Sequence, residues 1–172
     1  MAGRFISESA FMPAAQATVV RAFGLGTGAW AVWADVGRRR VRVRRYDARM
    51  VVPLAWDEDG VTECAFVTRA HDRGRTIHQP QEHLLGEHGT YVIRTACFDE
   101  NGAEVRLPGV VDEWDSGSEW PTFSIVRPAV DNTRVDLSPY GQSVFADAID
   151  AIQATDIAFG AHHHRLVQPR NW

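Results

Sequence analysis

The sequence predicts an α+β fold, a mainly antiparallel sheet of short strands with a helix near each end. Three observations lead there. Between Ala29 and Phe98, short runs rich in Val, Phe, Tyr and Trp alternate with turn-forming residues. Apolar residues recur at helical spacing over Ala10 to Phe23, and again after Ser138. The chain has 172 residues, 45% of them hydrophobic, which suits one domain with a real core and is too short for two.

In the first helix, Pro13 is tolerated because it falls in the first turn, and Ala15, Val19, Ala22 and Phe23 form the apolar set. Gly24 or Gly26 ends it. The glycines of FGLGTGAWAVW follow a helix and precede a strand. A phosphate-binding loop needs the opposite order, so the reading is a tight turn. Ala29 to Asp35 and Val41 to Tyr46 then pair as a hairpin across Val36-Gly37-Arg38. Strict alternation in the second strand points Val41 and Val43 inward and Arg40, Arg42 and Arg44 outward. With Arg38, Arg39, Arg45 and Arg49 these form one concentrated basic patch. It reads as a surface meeting phosphate or an acidic neighbour, or as the solvated face of an edge hairpin.

Ala48 to Trp56, an acidic turn at Asp57-Glu58-Asp59-Gly60 and Val61 to Arg69 continue the meander. Tyr91 to Phe98 is a further strand, the turn Asp99-Glu100-Asn101-Gly102 follows, and Val105 to Val111 is read as a returning strand. Gly109 to Glu119 reads as an acidic loop anchored by Trp114 and Trp120. After a short strand at Phe123, Ile125 and Val126, Pro128 fixes an extended segment and Asp131 to Arg134 make a polar turn. The second helix is expected to open at Ser138-Pro139, an N-cap followed by a first-turn proline, and to stop at Gly160. A helical wheel places Phe145, Ala148, Ile149, Ile152 and Phe159 on a face docked on the sheet. Asp147 and Asp150 lie outward, and Asp156 falls on the apolar side, where a buried carboxylate needs an arginine or backbone amides. Residues 1–160 form one domain and 161–172 a divergent tail.

The stretch FSIVRPAVDNTRVDLSPYGQSVFADAIDAIQATD resembles a passage of tailed-bacteriophage portal proteins, in the branch of long-tailed phages of Gram-positive hosts. That passage has F-x-I-x-[KR]-P, an Asn-rich turn and S-P-x-G-x-S-V-[FY]-A-x-A-I-D. Its elements fall at Phe123, Ile125, Arg127, Pro128, Asn132, Asp136, Ser138, Pro139, Gly141, Ser143 to Ala146, Ala148 to Asp150 and Thr155-Asp156. Gly26 to Ala29 match a glycine turn of that family, and Val52 to Leu54, Trp56 and Val61 to Phe66 match a second signature. The resemblance implies the wing region of a portal subunit, in a truncated or partial portal protein of a prophage. It implies a structural component of the vertex through which DNA is packaged and ejected, with no enzymatic activity and no cofactor. Its implied partners are other portal subunits in a dodecameric ring, terminase and capsid proteins, with double-stranded DNA passing only through the complete ring. The implied location is the virion, or the host cytoplasm when the chain is expressed alone. Pro128, Asn132, Ser138, Pro139, Gly141, Ser143, Asp150 and Asp156 carry the structural motif. With the ring-closing parts of the family lying beyond the match, a monomer or weak oligomer that associates through the last helix is expected.

Composition narrows the other classes. A net charge of −4 gives no global case for nucleic-acid binding. All basic residues are arginine, which reads as coding bias. Cys64 and Cys97 fit buried reduced thiols better than a disulfide framework. No signal-peptide pattern or membrane-length apolar run is present. His71, His78, His83 and His88 lack zinc-site spacing, and His162-His163-His164 is a run without preorganisation. No serine sits in a nucleophile motif. A stand-alone β-rich interaction module that uses the arginine hairpin, and a metal-dependent hydrolase that uses the histidines, are the alternatives.

Overall fold

A computed structural model describes residues 11–35, 40–130 and 132–167. Their order is helix α1 (Phe11–Leu25), β1 (Gly28–Asp35), β2 (Arg40–Asp47), a 3-10 turn (Ala48–Met50), β3 (Val51–Asp57) and β4 (Gly60–Asp72). There follow β5 (Arg75–Leu85), β6 (Tyr91–Thr95), β7 (Glu113–Asp115), β8 (Phe123–Val126), a 3-10 turn (Ala146–Ala148) and helix α2 (Ile149–Val167). Every strand pairing is antiparallel. The fold is therefore α+β, with short strands and a helix near each end.

The strands form two sheets, not the single sheet that the sequence suggests: a three-stranded one in the order β2-β1-β8 and a five-stranded one in the order β3-β4-β5-β6-β7. The break falls at Asp47, whose side chain accepts from the Arg49 amide and winds Ala48–Met50 into a 3-10 turn. The chain is thereby redirected, and β1 finds its second partner far downstream in β8, with Ala29 opposite Ile125 and Ala31 opposite Phe123. Side chains on one face of a strand alternate with those on the other, so Ala29, Ala31, Tyr46 and Phe123 share a face. That face meets Phe66 of β4, and together these residues make the core. Tyr46 stacks on Phe66 at 4.3 Å between ring centroids, while Phe123 meets Phe66 edge to face at 5.8 Å.

Helix α1 packs on the opposite face of the small sheet. Thr18 and Ala22 are its buried residues, and the Trp30 indole donates to Thr18 Oγ1 at 2.9 Å. Val19 and Phe23, placed in the apolar set by spacing, are exposed, because the sheet beneath spans only three strands. Gly26 ends the helix in the left-handed conformation (φ 85°) that glycine adopts without cost. The hairpin turn expected at Val36-Gly37-Arg38 lies outside the described residues.

Three local assignments change. Arg75–Leu85 is a central strand that the polar sequence conceals. Val105 to Val111 is not a strand; the returning strand is Glu113–Asp115, inside the segment read as a loop. Trp114 is half-buried there, but Trp120 is 79% exposed and anchors nothing.

The largest change concerns the second helix, which starts at Ile149 rather than at Ser138-Pro139. The backbone from Leu137 to Ala146 is held by other partners. Ser138 Oγ accepts from the Tyr140 amide and Ser143 Oγ from the Phe145 amide. The Gly141 amide donates to Thr27 Oγ1 at 3.0 Å, and the Val144 amide to the Phe23 carbonyl at 3.1 Å. These bonds latch the segment to the glycine turn after α1, where the Gly141 and Gly26 backbones approach so closely that neither tolerates a Cβ. Nor does Gly160 stop α2, which continues to Val167. Glycine inside a helix costs about 1 kcal/mol without forbidding it.

Gly141→Ala should therefore destabilise the fold by roughly 2–3 kcal/mol, because the new methyl overlaps the Gly26 carbonyl. Gly24→Ala in α1 meets nothing within 4 Å and should be neutral or stabilising by up to about 1 kcal/mol. Urea denaturation of the two variants checks the contrast.

Candidate functional site

The arginine hairpin does not present the outward row that alternation suggests. Arg42 and Arg44 share their face of β2 with Tyr46, the face that turns toward the five-stranded sheet. Arg44 donates to Thr68 Oγ1 at 3.5 Å, and Arg42 is half-buried with its Nε shielded from solvent. Both guanidinium stems thus cover the outer part of the sheet interface. Val43 is on the other face with the exposed Arg45, and is half-buried. The reason for the reversal is Tyr46, whose ring fixes which set of alternate residues meets the core. Arg38 and Arg39 lie outside the described residues, as do the side chains of Arg40 and Val41.

One carboxylate organises the remaining arginines. Asp47 is buried at the end of β2, with Arg49 Nη2 at 2.8 Å and Arg21 Nη1 of α1 at 3.8 Å from Oδ2. The hydrogen bonds from Arg49 hold the Asp47 carboxyl below the usual carboxylate range, against the opposing effect of burial.

The motif residues gather around the latch. Pro128 is buried, and an alanine Cβ at position 141 would lie 3.2 Å from its Cδ. Asn132 Oδ1 accepts from the Arg134 and Val135 amides, while its Nδ2 donates to the Tyr140 carbonyl at 3.3 Å. Gln142, buried and unremarked in the sequence, accepts from both the amide and the hydroxyl of Thr133. Tyr140 reaches the Val51 carbonyl at 3.0 Å, and the Trp56 indole reaches the Leu137 carbonyl at 3.1 Å. The segment thereby crosses the open edge of β3. It encloses a cleft of about 580 Å³ lined by Ile125, Pro128, Val135, Leu137 and Tyr140, with Arg127 beside them. Leu137 sits at φ 55°, a strained value for a residue with a Cβ, and is 89% exposed.

Helix α2 leaves this latch without covering any described strand or helix. From Asp147 to His164 every residue is exposed, so the predicted docking of its apolar face on the sheet does not occur. Ile152 is 52% and Phe159 70% exposed. Asp156 is exposed as well, as is Asp150; with no described element packed on the helix there is no apolar layer to bury the Asp156 carboxylate, and the expected ion pair is unnecessary.

The histidines diverge. Among the described residues, no group of three or more His, Cys, Asp or Glu could hold a metal ion. His162, His163 and His164 are exposed on α2. His83 alone is fully buried, between the edges of Phe66 and Phe123, and burial pushes its pKa down to about 4. No described helix is long and apolar enough to cross a membrane. No protein-family model matches the chain, and no curated protein is significantly similar to it.

Cys64 and Cys97 are buried free thiols, and burial pushes Cys64 up to about 12. At pH 8 only roughly one Cys64 in ten thousand is then thiolate. A thiol reagent should find neither cysteine reactive in the folded protein, and both reactive after unfolding.

Proposed function

We propose that the chain is the wing-like part of a phage portal subunit, a structural component that works by packing against neighbours rather than by catalysis. The observation that carries the reading is helix α2. A helix whose Ile149, Ile152, Ile157 and Phe159 are all uncovered is incomplete by itself. It begins directly after a latch that fixes its point of exit, as a segment meant to be covered in an assembly would. The motif that resembles portal proteins supports the same reading. Its Gly141 and the matching turn at Gly26 to Thr27 are in mutual contact, so two separate stretches of resemblance form one structural unit.

In this reading the two sheets are a rigid spacer and α2 is the element that joins it to the rest of the ring. Other portal subunits, terminase and capsid proteins are the partners, and DNA meets only the complete ring. Energy for DNA movement comes from the terminase.

Antibodies raised against the chain should label a single vertex of particles made by the strain that encodes it. Label spread over the shell, or chain recovered only with a soluble partner, would overturn the proposal in favour of an interaction module. In solution, light scattering should show a monomer or weak oligomer. Replacing Ile152 and Phe159 by serine should reduce that association while leaving the thermal midpoint of the sandwich unchanged within about 2 °C.

A further inference from the structure

The one buried imidazole stands where the two sheets are joined. His83 is 0% exposed, and its Nδ1 is 2.6 Å from Thr122 Oγ1. The backbone carbonyl of Thr122 in turn accepts from the Val32 amide of β1 at 2.8 Å. Thr122 therefore ties the five-stranded sheet, through its side chain, to the three-stranded sheet, through its main chain. His83 Nε2 is buried and has no hydrogen-bond partner among the described residues. This fixes the cheaper tautomer. With Nδ1–H donating to Thr122, only an acceptor lone pair is left bare at Nε2; the other tautomer would bury an unpaired N–H.

We infer that His83 is an acid-sensitive pin: as a neutral imidazole it holds the sheets together, and protonation at Nε2 releases β8 from the five-stranded sheet.

The surroundings offer the added proton nothing. The titratable groups on this face are Cys64 opposite His83 on β4, Tyr91 on β6 and Tyr46 on β2, neutral at pH 7 and pushed further up by burial, together with Arg42 and Arg44 of β2, which are already cations and offer a second positive charge no partner. β1 contributes Ala29 and Ala31, and β8 contributes Phe123. On β7, Glu113 and Asp115 flank Trp114 and point to the opposite face, where Glu113 pairs with Arg94 at 2.8 Å. Glu82 on β5 and Glu63 on β4 likewise alternate away from the His83 face, and Glu63 accepts from the Leu85 amide. A cation at Nε2 would be desolvated and unpaired.

The direction of the effect follows. The unfolded chain protonates His83 near pH 6.5 and the folded one near 4. The folded state is at full strength above about pH 6.5, weakens as pH falls, and has lost the whole contribution by about pH 4. Between pH 7 and 4.5 the unfolding constant should rise by roughly fifty- to a hundredfold through this residue alone.

Two measurements on the full chain decide the matter. Nitrogen-15 NMR of the wild-type protein should show His83 as the Nδ1–H tautomer, flat from pH 8 to 5. Urea unfolding at pH 7 and 4.5 should show the fifty- to hundredfold change in wild type and its loss in His83→Met. An imidazole of His83 that titrates near 6.5 within the folded protein, or equal pH dependence in wild type and variant, would overturn the inference. Should His83→Met fail to fold, the NMR titration alone decides.

Discussion

The structure depends on the Phe66 ring. It belongs to the large sheet, yet its neighbours Tyr46 and Phe123 belong to the small one, so a single side chain is shared by both layers. Aromatic rings bury more area than any other side chain and prefer the stacked and edge-to-face contacts found here. Once Phe66 is fixed, much else follows. Tyr46 must face it, so Arg42 and Arg44 are turned toward the interface by alternation, and Val43 is turned toward the side of α1. Removing that ring would cost about 3–5 kcal/mol, a large share of the stability of a domain of this size.

The second organising contact is polar and built from the backbone. The Gly141 amide reaches a threonine hydroxyl 114 residues earlier in the chain, and two glycines are required because the main chains nearly touch. This latch explains why a good helix-start signal at Ser138-Pro139 goes unused. A helix capped by Ser138 would send the Val144 amide to the Tyr140 carbonyl and leave the Gly141 amide to the Ser138 hydroxyl, whereas here these two amides satisfy Phe23 and Thr27.

Much of this was legible in the sequence. The first helix, its glycine stop, the β1–β2 hairpin, the acidic turn at Asp57 to Gly60 and β8 all follow local rules that tertiary structure leaves intact. Strand β5 was not legible, because its core-facing positions carry Gln79, Gln81 and His83, and Pro80 argues against a central strand. Its polar residues are satisfied across the sheet, as in the bond from Gln81 to Thr95 Oγ1. His83 was not legible either: its spacing from the other histidines is not that of a metal site, and only the surrounding rings identify it as a core residue. Asp156 failed for the opposite reason: periodicity reports which face of a helix is apolar, but not whether anything covers it.

The pairing of β1 with β8 sets an order of events. All of the five-stranded sheet lies between these two strands in the chain, and its members β3 to β6 are joined by short turns to neighbours in sequence. Such local contacts close quickly, whereas a pairing across most of the chain pays a larger loop-closure entropy and forms slowly. On a ribosome, β1 would emerge early and then wait, with one side of its backbone unpaired, until residues 123–126 arrived. The β1–β8 pairing, rather than the local β1–β2 hairpin, is the contact expected to close late. The open β1 edge is the place where a half-made chain is most exposed to pairing with the wrong partner.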